Sequence, residues 1–157
     1  MQNNLRSQYQ DNTLFYCVVP VPFHGSKKNS KQIRFNRKTK RSFITSNDRV
    51  LDAQAHLISV LKFEKEQQKV GTIFCNVNMK ITFLFPETKF FTKKGLRNKK
   101  IPDISNLYEL VQDVLQKVEI LEDDNLVESH DGSRRTPIKG EKYWLEIEIT
   151  KAVINPV

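Results

Sequence analysis

The stretch 102-PDISNLYELVQDVLQKVEILEDDNLV-127 decides how this chain is read. At 100° per residue Ile104, Leu107, Tyr108, Val111, Val114, Leu115 and Val118 fall on one face, so the spacing predicts an amphipathic helix over Ile101 to Val118. Asn106, Glu109 and Asp113 cluster nearly opposite, on the side left to polar chemistry. Ahead of the helix stands Asp103, behind Pro102, which reads either as the N-cap or as a metal ligand. Behind it come Glu122, Asp123 and Asp124, either an acidic turn or further ligands.

Working outward, Ile73, Cys75, Val77, Met79, Ile81, Phe83 and Phe85 alternate with mostly polar residues, which predicts a long strand with one buried face. Thr13 to Val19 is rich in β-branched and aromatic residues and stops at Pro20 and Pro22, as an opening strand would. Between these two, Val50, Ala53, His56, Leu57, Val60 and Leu61 are spaced three and four apart. They predict a helix that Ser46 or Asn47 caps and that Lys62 to Gln68 extends into solvent. Downstream, LVES reads as a short strand. Tyr143 to Thr150 alternates Trp144, Glu146 and Glu148 against Leu145, Ile147 and Ile149, as a half-exposed closing strand does. With no internal repeat or low-complexity linker, a single domain over residues 1–157 is expected, with 1–12 and 151–157 loose.

The 157 residues carry a net charge of +8, and its placement says more than its sum. Lys27, Lys28, Lys31, Arg34, Arg37, Lys38, Lys40 and Arg41 crowd a segment without one acidic residue, a basic loop or hairpin. Lys89, Lys93, Lys94, Arg97, Lys99 and Lys100 run up to Asp103. Such runs attract polyanions, nucleic acid first among them, although each alone is also what a solvated loop looks like. Apolar content of 38% is enough for a core. Cys17 and Cys75 lie inside apolar runs, so buried thiols in a reducing compartment are expected rather than a disulfide or a zinc site. No stretch approaches the ~18 apolar residues of a membrane span, and the first residues lack a secretion signal, so a soluble, cytoplasmic protein is expected. His24, His56 and His130 show no ligand spacing.

Carboxylates set against lysines suggest a definite chemistry. Oxygen ligands suit a hard divalent ion, and Mg²⁺ in nucleic-acid enzymes is typically held by one or two carboxylates with waters and substrate phosphate. Such an ion supports phosphodiester hydrolysis, with neighbouring cations stabilising the pentavalent transition state.

The 102–127 string resembles the signature of the RusA family of Holliday junction resolvases: P-D-x-D-N-x-x-K, then D-x-L at the helix end, then D-D with a polar and an aliphatic residue after it. The strand ending PVPF, the basic segment after it and the strand LEIEIT sit where that family has similar elements, so the resemblance runs from about residue 13 to 150. It implies an α/β (α+β) fold with a mixed sheet of about four or five strands flanked by two main helices. It also implies a homodimer acting on branched DNA, four-way junctions, in recombination and repair. The implied cofactor is Mg²⁺, with Mn²⁺ as the alternative.

Carried over by position, Asp103 and Asp124 match the metal-binding aspartates, Asn106 the asparagine and Asp113 the aspartate of D-x-L, while Asp123 shares the metal or steadies its neighbour. The chain departs from the pattern twice, with Ser105 where the family has aspartate and Glu109 where it has lysine. Because side chains four apart on a helix are neighbours, Glu109 is a candidate to supply the carboxylate missing at Ser105, and a lysine from Lys94 to Lys100 to replace the lost cation. The expected catalytic set is thus Asp103, Asp124, Asp113 and Glu109, with Asp103, Asp124 and Asp123 on the metal. Lys27, Lys28, Arg34, Arg37, Lys99, Lys100, Arg134 and Arg135 are the DNA-contact candidates. Phe35 and Phe43 are either junction wedges or core. The competing readings are a relative that binds branched DNA without cutting it, and a plain nucleic-acid-binding domain whose acidic residues are caps and turns.

Overall fold

The last strand in the sequence, β7 (Tyr143–Lys151), is an inner strand of the sheet. In the computed structural model, which describes residues 12–26, 31–46 and 48–153, it lies between β1 (Thr13–Val21) and β4 (Val77–Pro86), antiparallel to both. The far edge of β4 is covered in two pieces, β5 (Val127–Ser129) and β6 (Arg134–Ile138), both parallel to it. Where the edge is interrupted, the Ser133 hydroxyl accepts the Ile81 N–H at 2.8 Å and so satisfies a ladder donor that no strand meets. The result is a mixed five-stranded sheet, as expected, with a separate two-stranded hairpin, β2 (Lys31–Asn36) and β3 (Arg41–Ser46).

Two helices, α1 (Asp48–Gln68) and α3 (Ile104–Lys117), pack side by side on one face of the sheet. That face is the alternating set the sequence marks out: Phe15, Cys17 and Val19 from β1, Met79, Ile81, Phe83 and Phe85 from β4, and Leu145, Ile147 and Ile149 from β7. Ala53, Leu57 and Leu61 meet it from α1, and Leu107, Val111, Val114 and Leu115 from α3. On the other face Tyr16 donates to Glu146 and Lys80 faces Glu148, a polar surface suited to water. Gly25, in the loop after β1, passes so close to α1 and α3 that a Cβ would lie 2.9 Å from Ala53 Cβ and 2.4 Å from Leu110 Cδ2. Among the described residues no helix is long and apolar enough to cross a membrane.

Several boundaries differ from expectation. α3 begins at Ile104, because Pro102 and the extended backbone of Asp103 hold residues 101–103 outside it, and Val118 is its C-cap. β4 begins at Val77; Ile73 makes only an isolated bridge to Leu121, and Cys75 is half-buried rather than buried. Ser46 closes β3, and Asn47, the other expected cap of α1, lies outside the described residues. The 62–68 extension of α1 is mostly exposed, as expected, and is also anchored: Lys65 Nζ donates to the carbonyls of Val118 and Glu119, and Gln68 to that of Tyr16. β7 continues through Lys151, whose N–H donates to Asn12, so the pairing enters the expected loose tail. Unforeseen are a one-turn helix, α2 (Glu87–Phe90), and β6, which Arg134 and Arg135 open instead of trailing β5.

Candidate active site and nucleic-acid interface

The second basic run is a built arm. After α2 the chain turns sharply, Phe91 pairing with Arg97 around Gly95, whose φ of 74° suits glycine. Asn98 fixes the exit: its amide donates to the Lys89 carbonyl, its Oδ1 accepts the Lys100 N–H, both at 3.0 Å, and its own N–H donates to Phe90. The Arg97 guanidinium lies over the Phe90 ring at 4.0 Å. Lys93, Lys94, Lys99 and Lys100 are left exposed on this arm.

The arm delivers the chain to Pro102, and there a cation from the sheet edge meets it. Arg135, half-buried on β6 beside Phe83 of β4, donates from Nη1 to the Pro102 carbonyl at 2.8 Å. Desolvation first, and the like charge of Arg135 second, draw the Arg97 guanidinium below its ordinary pKa. The peptide just before Asp103 is therefore clamped within a cationic surround. Asp103 occupies the N-cap position of α3, with its carbonyl accepting the Leu107 N–H, yet its exposed carboxylate makes no capping hydrogen bond. The position is a cap, but the acidic group is not engaged as one.

Along α3, Ser105 and Glu109 are both exposed and one turn apart, while Asn106 and Asp113 are half-buried. Tyr108 turns inward, 5.9 Å from the Phe83 ring, and stacks on His130 at 4.4 Å. Burial lowers the His130 pKa, and its Nε2 lies 3.1 Å from the Gln112 amide. Beyond the helix, Asp123 Oδ1 accepts the Asn125 N–H at 2.8 Å and caps a single 3₁₀ turn, Asp124–Leu126, with both aspartates exposed.

Asp103 precedes the first turn of α3 and Asp124 lies seven residues beyond its last residue, Lys117; the 14 residues of the helix itself span about 21 Å at 1.5 Å per residue. Consistent with that, among the described residues no group of three or more His, Cys, Asp or Glu side chains lies close enough to hold a metal ion. The fold thus sets Asp103 directly after the peptide that Arg135 holds and at the end of the lysine arm, but does not gather Asp103, Asp123 and Asp124 into one group within the chain. Their donor chemistry, exposed carboxylate oxygen, is that of a hard divalent ion.

The first basic run forms the hairpin. Register places Ile33 opposite Ile44 and Arg34 opposite Phe43, so Ile33, Phe35 and Ile44 share one side and Arg34, Arg41 and Phe43 the other. Phe35 and Phe43 are 60% and 46% exposed, so neither is core. Arg34 pairs with Asp48 at the start of α1, both side chains being largely exposed, and Arg37 stands free of the core at the hairpin turn. Arg134 is exposed at the start of β6. Lys27 and Lys28 lie outside the described residues. Reading by sequence passed over Arg135 as a clamp and Arg97 as a stacked cation. Only their membership of basic clusters signalled them.

A mixed α/β protein with two exposed basic arms, and a carboxylate at the foot of one of them, belongs among proteins that act on nucleic acid. The family model described as endodeoxyribonuclease RusA matches residues 19–150, and the chain belongs to the RusA family of Holliday junction resolvases. That family consists of endodeoxyribonucleases, hydrolases that bind junction DNA and generally depend on a divalent metal. No curated protein matches the sequence.

Proposed function

We propose that this chain is a Mg²⁺-dependent endonuclease that resolves four-way DNA junctions by paired, symmetric nicks, acting as a homodimer in recombination and repair. The observation that carries this is Asp103: a carboxylate at a helix start, free of any capping bond, behind a peptide that Arg135 clamps and at the foot of a lysine arm. A bound divalent ion would polarise the phosphoryl oxygen and lower the pKa of the attacking water. Asp103 and Asp124 would hold it. Asp123 shapes the turn that presents Asp124, and Asp113 orients neighbouring groups. Glu109 stands in for the carboxylate missing at Ser105. Lys99 and Lys100 face the non-bridging oxygens.

Because no three metal-ligating side chains gather among the described residues of one chain, each site is taken from two copies of it. A two-fold dimer supplies them, each site taking Asp103 from one protomer and Asp124 from the other, and two such sites suit the symmetry of a four-way junction. Affinity comes mainly from phosphate neutralisation by Lys27, Lys28, Arg34, Arg37 and Arg134.

The test incubates a synthetic four-way junction with the protein, with and without Mg²⁺, beside Asp103→Asn, Asp124→Asn and a linear duplex. Paired nicks that need metal and both aspartates are expected. Mixing the two inactive variants should restore nicking of one strand, since half of the mixed sites regain both carboxylates. A second reading, a relative that binds branched DNA without cutting, is favoured by Ser105 and Glu109. Tight junction binding with no cutting in Mg²⁺ or Mn²⁺ would establish it in place of the first.

A further inference from the structure

Beside the arm, and directly before Asp103, lies a cavity of about 410 Å³, of whose lining the proposed hydrolysis uses Lys100 alone. Its walls come from the loop after β1, the start of α1, the end of β4, the start of β7 and the residues 98–102. The floor is aromatic: buried Phe85 and half-buried His24 and Tyr143, with His24 edge-on to Phe85 at 4.7 Å and to Tyr143 at 5.5 Å. His24 Nε2 lies 2.9 Å from the Leu84 carbonyl, which can only accept, so this nitrogen carries the proton and the imidazole is held in one orientation. The rim is cationic, formed by the exposed side chains of Arg49, Lys89 and Lys100. Arg49 also covers the Phe23 ring at 4.5 Å.

An apolar aromatic floor under a cationic rim matches one nucleotide placed base inward and phosphate outward. The volume lies in the range of small-molecule sites and exceeds that of a single nucleobase. Aromatic faces stack any base, and the rim lysines supply the counter-charge for its flanking phosphates. Pro102 and Lys100 line the cavity, so a nucleotide seated there is a near neighbour, along the strand, of a phosphate at Asp103. A base pair at a branch point lacks part of its stacking, which lowers the cost of taking one base out of the helix.

We propose that this cavity receives one unstacked nucleobase of the DNA strand beside the scissile phosphate and thereby sets where the strand is cut. The proposal rests on the junction-nuclease reading and adds to it the recognition of a single extruded nucleotide.

The experiment titrates the full chain, without divalent metal, against four-way junctions in which each nucleotide flanking the branch point is replaced in turn by an abasic residue. At one position, loss of the base is expected to weaken binding roughly ten-fold, as loss of one stacked base does. An abasic residue opposite that position should strengthen binding, because no pair is then broken. Both effects should vanish in Tyr143→Ala, which removes one ring of the floor, and in Lys89→Glu, whose exposed side chain can change without disturbing the core, with circular dichroism checking the fold of each. Junction binding that is tight and indifferent to every abasic position overturns the cavity proposal and leaves the nuclease reading standing. Equal affinity for junction and linear duplex overturns the nuclease reading itself, and the cavity proposal with it.

Discussion

At the scale of single residues, the departures at Ser105 and Glu109 matter most. Both are exposed on adjacent turns of α3, close in sequence to a carboxylate that makes no cap bond. If Glu109 supplies the missing oxygen ligand, Glu109→Gln should weaken Mg²⁺ binding by one to two orders of magnitude in calorimetry with catalytically blocked junction present, about the size seen when a group supporting a metal is lost. Unchanged affinity would remove Glu109 from the site. His24 makes a second prediction. Burial, only partly offset by the bond to Leu84, lowers its pKa from 6.5 to about 4. Between those values the unfolded chain takes up a proton that the folded one refuses, so stability is full above pH 6.5 and falls as the pH drops toward 4. At pH 5 the loss from this group should be about 2 kcal/mol, from 1.36 kcal/mol per pKa unit. Urea unfolding at pH 7.5 and 5.0 measures it: wild type should lose about that much more than His24→Phe, and equal losses would mean the imidazole titrates normally.

At the scale of elements, α3 and the β2–β3 hairpin are opposites. α3 is held by its apolar face; Leu115 is fully buried, and Leu115→Ala should cost about 2–5 kcal/mol in unfolding free energy. The hairpin exposes Ile33 at 76% and Ile44 at 70%, so Ile33→Ser should change stability by no more than about 0.5 kcal/mol. A large loss there would show that the hairpin is buried against something in solution. α3 was legible because its 3.6-residue period is a local property, and its burial follows the face the period marks. β6 was not, because RRTPI has no alternation and carries Pro137, which a strand paired on one side only can hold. The arm through residues 91–100 was visible as charge alone. Its turn geometry depends on three hydrogen bonds of Asn98, to Lys89, Phe90 and Lys100, which no spacing rule reports.

At the scale of the molecule, charge governs the encounter with DNA. Much of the basic charge behind the net +8 sits on two exposed arms, whereas on the polar sheet face Lys80 is set against Glu148. Junction affinity should therefore fall steeply with salt: neutralising six to ten phosphates predicts a loss of about 10³–10⁵ between 50 and 200 mM. The double variant Lys99→Ala, Lys100→Ala should flatten the slope of log affinity against log salt by about two, and an unchanged slope would place the DNA elsewhere.

Taken alone, the sequence determined the two main helices and the buried faces of the long strands, since both rest on periods of a few residues. It also determined the RusA membership, because the 102–127 string keeps most of the family's spacing despite Ser105 and Glu109. Only the tertiary structure decided that β7 lies inside the sheet, that Arg135 reaches across to hold Pro102, and that, among the described residues, the aspartates before and after α3 form no three-carboxylate group within one chain. It alone assembled the aromatic cavity as well. Each of these joins or separates residues distant in the sequence, and such relations are fixed by how the elements pack rather than by any local pattern.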